Sequence, residues 1–137
     1  MKKIFFILPA IALIAGGCVS THDDILGTKS SQVQTRNYQS RSFDTKDRGA
    51  VLRGVVATMQ DLGFIIDKAD EKLGTISGTS FANRSKLTVS VRQSGANKVI
   101  VRANASSGLN EITDPKPYQN FFESLSQSLF LDANTID

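Results

Sequence analysis

The chain has 137 residues, 40% of them hydrophobic and 21% charged, which suits one globular domain with an ordinary core once a leader is set aside. Its formal charge of +3 overstates its basicity, because Lys2 and Lys3 sit in that leader and 14 of the 16 cationic residues then remain against 13 acidic ones. Arg36, Arg41, Arg48, Arg53, Arg84, Arg92 and Arg102 are scattered among acids, which argues against nucleic acid as a partner. Cys18 and His22 are the single cysteine and histidine, so neither a disulfide framework nor a zinc site can be assembled, and no metal or cofactor is expected.

Met1, Lys2 and Lys3 form a positive start, Ile4 to Ile14 an apolar run broken by Pro9, and Ala15, Gly16 and Gly17 a small-residue segment. This is the layout of a secretory signal over residues 1–17, and its apolar run is shorter than the about 20 residues a membrane-spanning helix needs. The alternative is a short anchor that stays uncleaved. Ala15-Gly16-Gly17-Cys18 resembles the lipobox of bacterial lipoproteins, with Ala15 where leucine is usual. The resemblance implies lipidation of Cys18, cleavage before it, and an anchor of several acyl chains. Val19 and Ser20 follow where an aspartate would favour the inner membrane, so it points to the periplasmic face of the outer membrane. Ser20 to Gln34 is polar, and residues 18–34 read as a lipidated flexible tether.

The folded domain is expected over residues 35–137. Gln34 to Phe43, with Thr35, Tyr38 and Phe43 among polar residues, reads as a half-polar strand. Asp44 is the expected N-cap of a helix from about Thr45 to Leu62, with Asp47 adding negative charge at its positive end. Val51, Leu52, Val55, Val56, Met59 and Leu62 form its apolar stripe, and Gly63 sits where a left-handed cap belongs. Phe64-Ile65-Ile66 is a β-prone run, Asp70-Glu71-Lys72 a turn, and Thr75 to Phe81 a further strand. Leu87, Val89 and Val91, then Val99, Val101, Ala103 and Ala105, alternate with polar neighbours on either side of Ser94-Gly95-Ala96-Asn97, predicting a hairpin over Leu87 to Ala105. Ser107 to Thr113 reads as a loop. Asp114-Pro115 opens a second helix, whose stripe of Tyr118, Phe121, Phe122, Leu125 and Leu129 reads as core.

The order β-α-β-β-β-β-α predicts an α+β two-layer sandwich, an antiparallel sheet with two helices on one face. The same order occurs in TATA-binding-protein-like and helix-grip modules, including lipoprotein domains of the β-barrel assembly machinery. Arg41-Ser42-Phe43-Asp44-Thr45, Met59-Gln60-Asp61-Leu62-Gly63-Phe64, Leu73-Gly74-Thr75-Ile76-Ser77 and Tyr118 with Phe121-Phe122 and Phe130-Leu131 resemble a family of small bacterial envelope lipoproteins with Arg-x-Phe-Asp-Thr and Leu-Gln-Asp-Leu-Gly-Phe motifs, with Met59 where leucine is usual. That resemblance implies placement and fold without naming a reaction. Packing explains most of these residues: Gly63 ends a helix and Leu62 and Phe64 are expected to bury on either side of it. Gln60 and Asp61 are the exception, marking either a partner surface or a solvated helix end.

No set of acids, bases and nucleophiles converges, and the sole histidine lies in the tether, so the chain is expected not to be an enzyme. The expected function is a membrane-anchored, periplasm-facing interaction or accessory module of an envelope complex. Its candidate surfaces are Gln60 and Asp61 and the polar sheet side with Arg92 and Arg102, each of which also reads as plain solvated surface. The alternative is a carrier of a small ligand or lipid, which would show an apolar cavity lined by Phe121, Phe122 and Ile66.

Overall fold

The computed structural model describes residues 32–130, 134 and 136. The expected signal and lipidation residues, Ala15, Gly16, Gly17 and Cys18, and most of the expected tether fall outside the described residues.

Residues 32–39 form a helix, α1, which runs directly into strand β1 (Ser40–Phe43). The strand expected from Gln34 is thus confined to its last four residues. Thr35 and Gln39 are buried and Tyr38 half-buried, a spacing of three and four that puts them on one helical face. Contacts made far along the chain decide this: Gln39 Nε2 donates to Glu111 Oε1 at 2.8 Å and to Tyr118 Oη at 3.3 Å. The β-propensity of Thr35 and Tyr38 gives way to them.

Helix α2 (Arg48–Asp61) starts later than expected, and its N-cap is Asp47, whose Oδ1 accepts from the Ala50 N–H at 2.8 Å. Phe43 is wholly buried and paired with Val99, so residues 44–47 are needed to turn the chain out of the sheet, and Thr45 Oγ1 accepts from the Asp47 N–H within that turn. At the other end Gly63 adopts φ +85°, its N–H donates to Gln60 O, and Phe64 N–H donates to Met59 O. This paired bonding closes the helix as expected. Leu62, expected to be buried, is 39% exposed, because the apolar contact of such a cap falls on the residue after the glycine.

Strands β2 (Ile65–Asp70), β3 (Thr75–Ser80), β4 (Ser85–Gln93) and β5 (Val99–Ser107) form an antiparallel meander. Phe81 lies beyond β3 in a turn and is exposed. The segment read as a loop after β5 holds a short strand, β6 (Asn110–Glu111), before helix α3 (Pro115–Leu129), capped by Asp114 Oδ1 on the Lys116 N–H. The sheet order is β1-β5-β4-β3-β2, with β6 pairing β5 beyond the end of β1. Asn134 exchanges two backbone hydrogen bonds of 2.8 Å with Ser42, covering the outer edge of β1.

Alternation sorts the sheet into two faces. Leu87, Val89, Val91, Val99, Val101, Ala103 and Ala105 turn inward and join Val51, Val55 and Met59 of α2 and Tyr118, Phe121, Phe122 and Leu125 of α3 in one core. The expected two-layer α+β sandwich is therefore the architecture, with α1 and β6 as additions at the β1 edge. No helix among the described residues is long and apolar enough to cross a membrane.

Candidate functional site

The uncovered face of the sheet carries the other half of each strand. Ser40 of β1, Arg102 of β5 and Ser90 of β4 stand opposite one another in one row, and Ile100 and Arg92 in the next, beside Ser42, which is buried. Small serines flank the long Arg102 on both sides, so the face is low where the serines lie and high where the cations rise. Arg92 and Arg102 are diagonal cross-strand neighbours, about 7–8 Å apart by sheet geometry.

Two walls rise beside this floor. One is α1, which contributes Arg36 and Asn37. The other is the turn between β2 and β3, which contributes Lys72 and Leu73. Arg48, the first residue of α2, holds that turn against the end of β4: its Nε donates to Val91 O at 3.2 Å, and its Nη2 to Glu71 O at 2.9 Å and Lys72 O at 3.4 Å. Gly74 lets the two come together, with φ +70° and no side chain; a Cβ there would stand 2.3 Å from both Arg48 Nη2 and Val91 O. The Gly74 carbonyl in turn accepts from the Val91 N–H at 2.7 Å.

The result is an open trough of about 830 Å³, lined by the five cations Arg36, Arg48, Lys72, Arg92 and Arg102, with no carboxylate among its described lining residues. Arg48 is engaged with backbone carbonyls. Arg36, Lys72, Arg92 and Arg102 are exposed, and no described residue hydrogen-bonds or ion-pairs with their side chains. Groups of this kind bind and orient anions.

The expected surface residues therefore separate into two sites. Arg92 and Arg102 come together in the trough. Gln60 and Asp61 stay exposed at the end of α2 on the helical side, where Gln60 borders a groove of about 510 Å³ between α2 and β2 with Leu52, Val56 and Ile76. Arg36, Arg48 and Lys72 had no local signature, since they come from a segment read as strand, a helix start and a turn; only the topology gathers them. Arg41 faces the other way. It sits opposite the buried Val101, with its guanidinium 5.3 Å from the centre of the Phe122 ring and Nη1 donating to Asn37 O and Ser40 O. Burial pulls it below the ordinary arginine value.

The cavity expected for a carrier is not formed by its named residues. Phe122 is sealed in the core, Ile66 packs against that core, and Phe121 borders a cleft of about 210 Å³ with Leu87, Ala105 and Pro117. Among the described residues no three His, Cys, Asp or Glu side chains are grouped to hold a metal ion. Compared with known proteins, the chain matches no family model, and no curated protein matches it significantly.

Proposed function

We propose that the chain is a lipid-anchored envelope protein whose folded domain is an interaction module, held at the periplasmic face of the outer membrane through Cys18. The observation that carries the interaction reading is the cationic trough. The core needs only the inward half of each strand, and the other half is free to present Arg92, Arg102 and the serines that flank Arg102. The anchor reading is supported by the leader and by the lipobox-like Ala15-Gly16-Gly17-Cys18. The resemblance of the Met59-Gln60-Asp61-Leu62-Gly63-Phe64 segment to small envelope lipoproteins supports the same placement.

The test is purification of the tagged, lipidated protein from native envelopes in mild detergent, with mass spectrometry of whatever is retained, beside a tether-only control lacking residues 36–137. Proteins retained by the full chain alone are the expected outcome. Lipid or a small molecule as the sole retained species would replace the interaction module with a carrier. An unmodified mass for the mature N-terminal peptide would remove the lipid anchor.

A further inference from the structure

We infer that the trough on the uncovered sheet face takes an extended acidic segment of a partner protein, an inference that rests on the interaction-module reading and names the chemistry of the partner. The first argument is charge. Five cations converge from positions 36, 48, 72, 92 and 102 without a carboxylate among the described lining. Arg48 is engaged in holding the β2–β3 turn, but Arg36, Lys72, Arg92 and Arg102 bring like charges together without a described partner, and an anion in the trough offsets their repulsion. Three of those four are arginines, whose planar fork matches a carboxylate with two parallel hydrogen bonds.

The second argument is spacing. Acidic side chains at alternate positions of an extended segment repeat at about 6.6 Å, two strand rises. Arg92 and Arg102, as diagonal neighbours, lie about 7–8 Å apart. The trough crosses from β1 over β5 and β4 toward the β2–β3 turn, which at about 4.8 Å between strands gives room for an extended segment of roughly four or five residues.

The third argument is what else lines the trough. Leu73, 74% exposed, and the half-buried Ile100 and Ile136 offer apolar contacts that a peptide's intervening side chains would cover and a free phosphate would not. The described lining holds no aromatic ring on which a nucleic-acid base would stack. Its cations also line a concavity, whereas a bilayer surface is met by a flat or protruding patch.

The experiment uses the full lipidated chain in an uncharged detergent. Fluorescence anisotropy reads binding of a labelled peptide of alternating Glu and Leu, with the Gln-Leu peptide as the neutral control, and co-sedimentation reads binding to phosphatidylglycerol vesicles. The acidic peptide should bind and the neutral one should not, binding should weaken as salt rises to about 0.15 M, and Arg92→Glu with Arg102→Glu should weaken it by about tenfold or more. Arg53→Glu, on the exposed side of α2, should leave it unchanged. Equal binding of both peptides, or full binding by the double variant while its thermal melt matches wild type, overturns the inference. Vesicle binding that depends on Arg92 and Arg102, without peptide binding, also overturns it in favour of a membrane surface. If envelope purification recovers the same partner with the double variant as with wild type, the interaction module stands and the trough is not where it docks.

Discussion

Tyr118 joins α1, β5 and the segment before α3 through one hydroxyl, so removing that hydroxyl is a direct test of the packing. The Oη accepts from the Ala105 N–H at 3.1 Å and from Gln39 Nε2 at 3.3 Å, and donates to Ile112 O at 2.7 Å, while the side chain is 1% exposed. The Ala105 contact follows from the topology. Pairing of β1 with β5 ends at Arg102 and pairing of β6 begins at Ser106, so the β5 edge between them has no strand beside it. The Ala105 carbonyl on that side accepts from Ile112 N–H, and its N–H points the same way and meets the tyrosine hydroxyl. Tyr118→Phe leaves the buried Ala105 N–H and the part-buried Ile112 carbonyl without this partner, at about 1–3 kcal/mol each when unsatisfied. Allowing for relaxation, a loss of roughly 2–4 kcal/mol is expected, which lowers the melting temperature by about 10–25 °C in a domain of this size. Thermal and urea melts of wild type, Tyr118→Phe and Tyr38→Phe measure it. Tyr38 Oη donates to the exposed carbonyl of Thr113, so its loss should cost below about 1 kcal/mol. Equal melting temperatures for the two variants would refute the claim that Tyr118 closes the gap in the sheet edge.

Thr58 is 1% exposed on α2 and its hydroxyl has no hydrogen-bond partner among the described residues, so Thr58→Val should stabilise the domain by about 1 kcal/mol in a urea titration; destabilisation would mean that the hydroxyl is satisfied in solution. Gly74 and Gly95 share φ +70°, but a Cβ at Gly95 meets nothing within 4 Å, whereas at Gly74 it meets the Val91 carbonyl and Arg48 at 2.3 Å. Gly95→Ala should therefore cost about 1–2 kcal/mol for the left-handed backbone alone, and Gly74→Ala clearly more, with loss of the Arg48 clamp; similar melts for the two would overturn that reading. Asp47→Ala should cost about 1 kcal/mol as loss of an N-cap, while Asp44→Ala should cost less, since Asp44 is exposed and its Oδ2 only accepts from Asn134 Nδ2 at 3.4 Å. The reverse order would restore Asp44 as the cap.

Much of the architecture is legible in local periodicity. Leu87 to Val91 and Val99 to Ala105 alternate so regularly that the hairpin and its inward face follow from the pattern, and the observed pairing of Val89 with Ala103 and Val91 with Val101 agrees with it. The α3 stripe and its Asp114-Pro115 start are equally plain, because a cap and a 3.6-residue repeat act over only a turn or two of chain. Residues 34–39 are different. Their β-prone Thr35 and Tyr38 favour a strand, yet Gln39 is 1% exposed and bonded to residues more than seventy positions away, and no local pattern reports that.

The same division separates the two parts of the functional reading. The proposal of a leader ending at Cys18 rests on short stretches of sequence alone, and so does the alternation that places Arg92 and Arg102 on the polar sheet side. The trough is not, because Arg36, Arg48 and Lys72 join those two arginines only when α1 closes one side and the Arg48 clamp draws the β2–β3 turn over the other. Charge scattered along the chain says nothing of its arrangement in space: antiparallel pairing and a close approach at Gly74 bring distant residues together, and only the tertiary structure settles which ones.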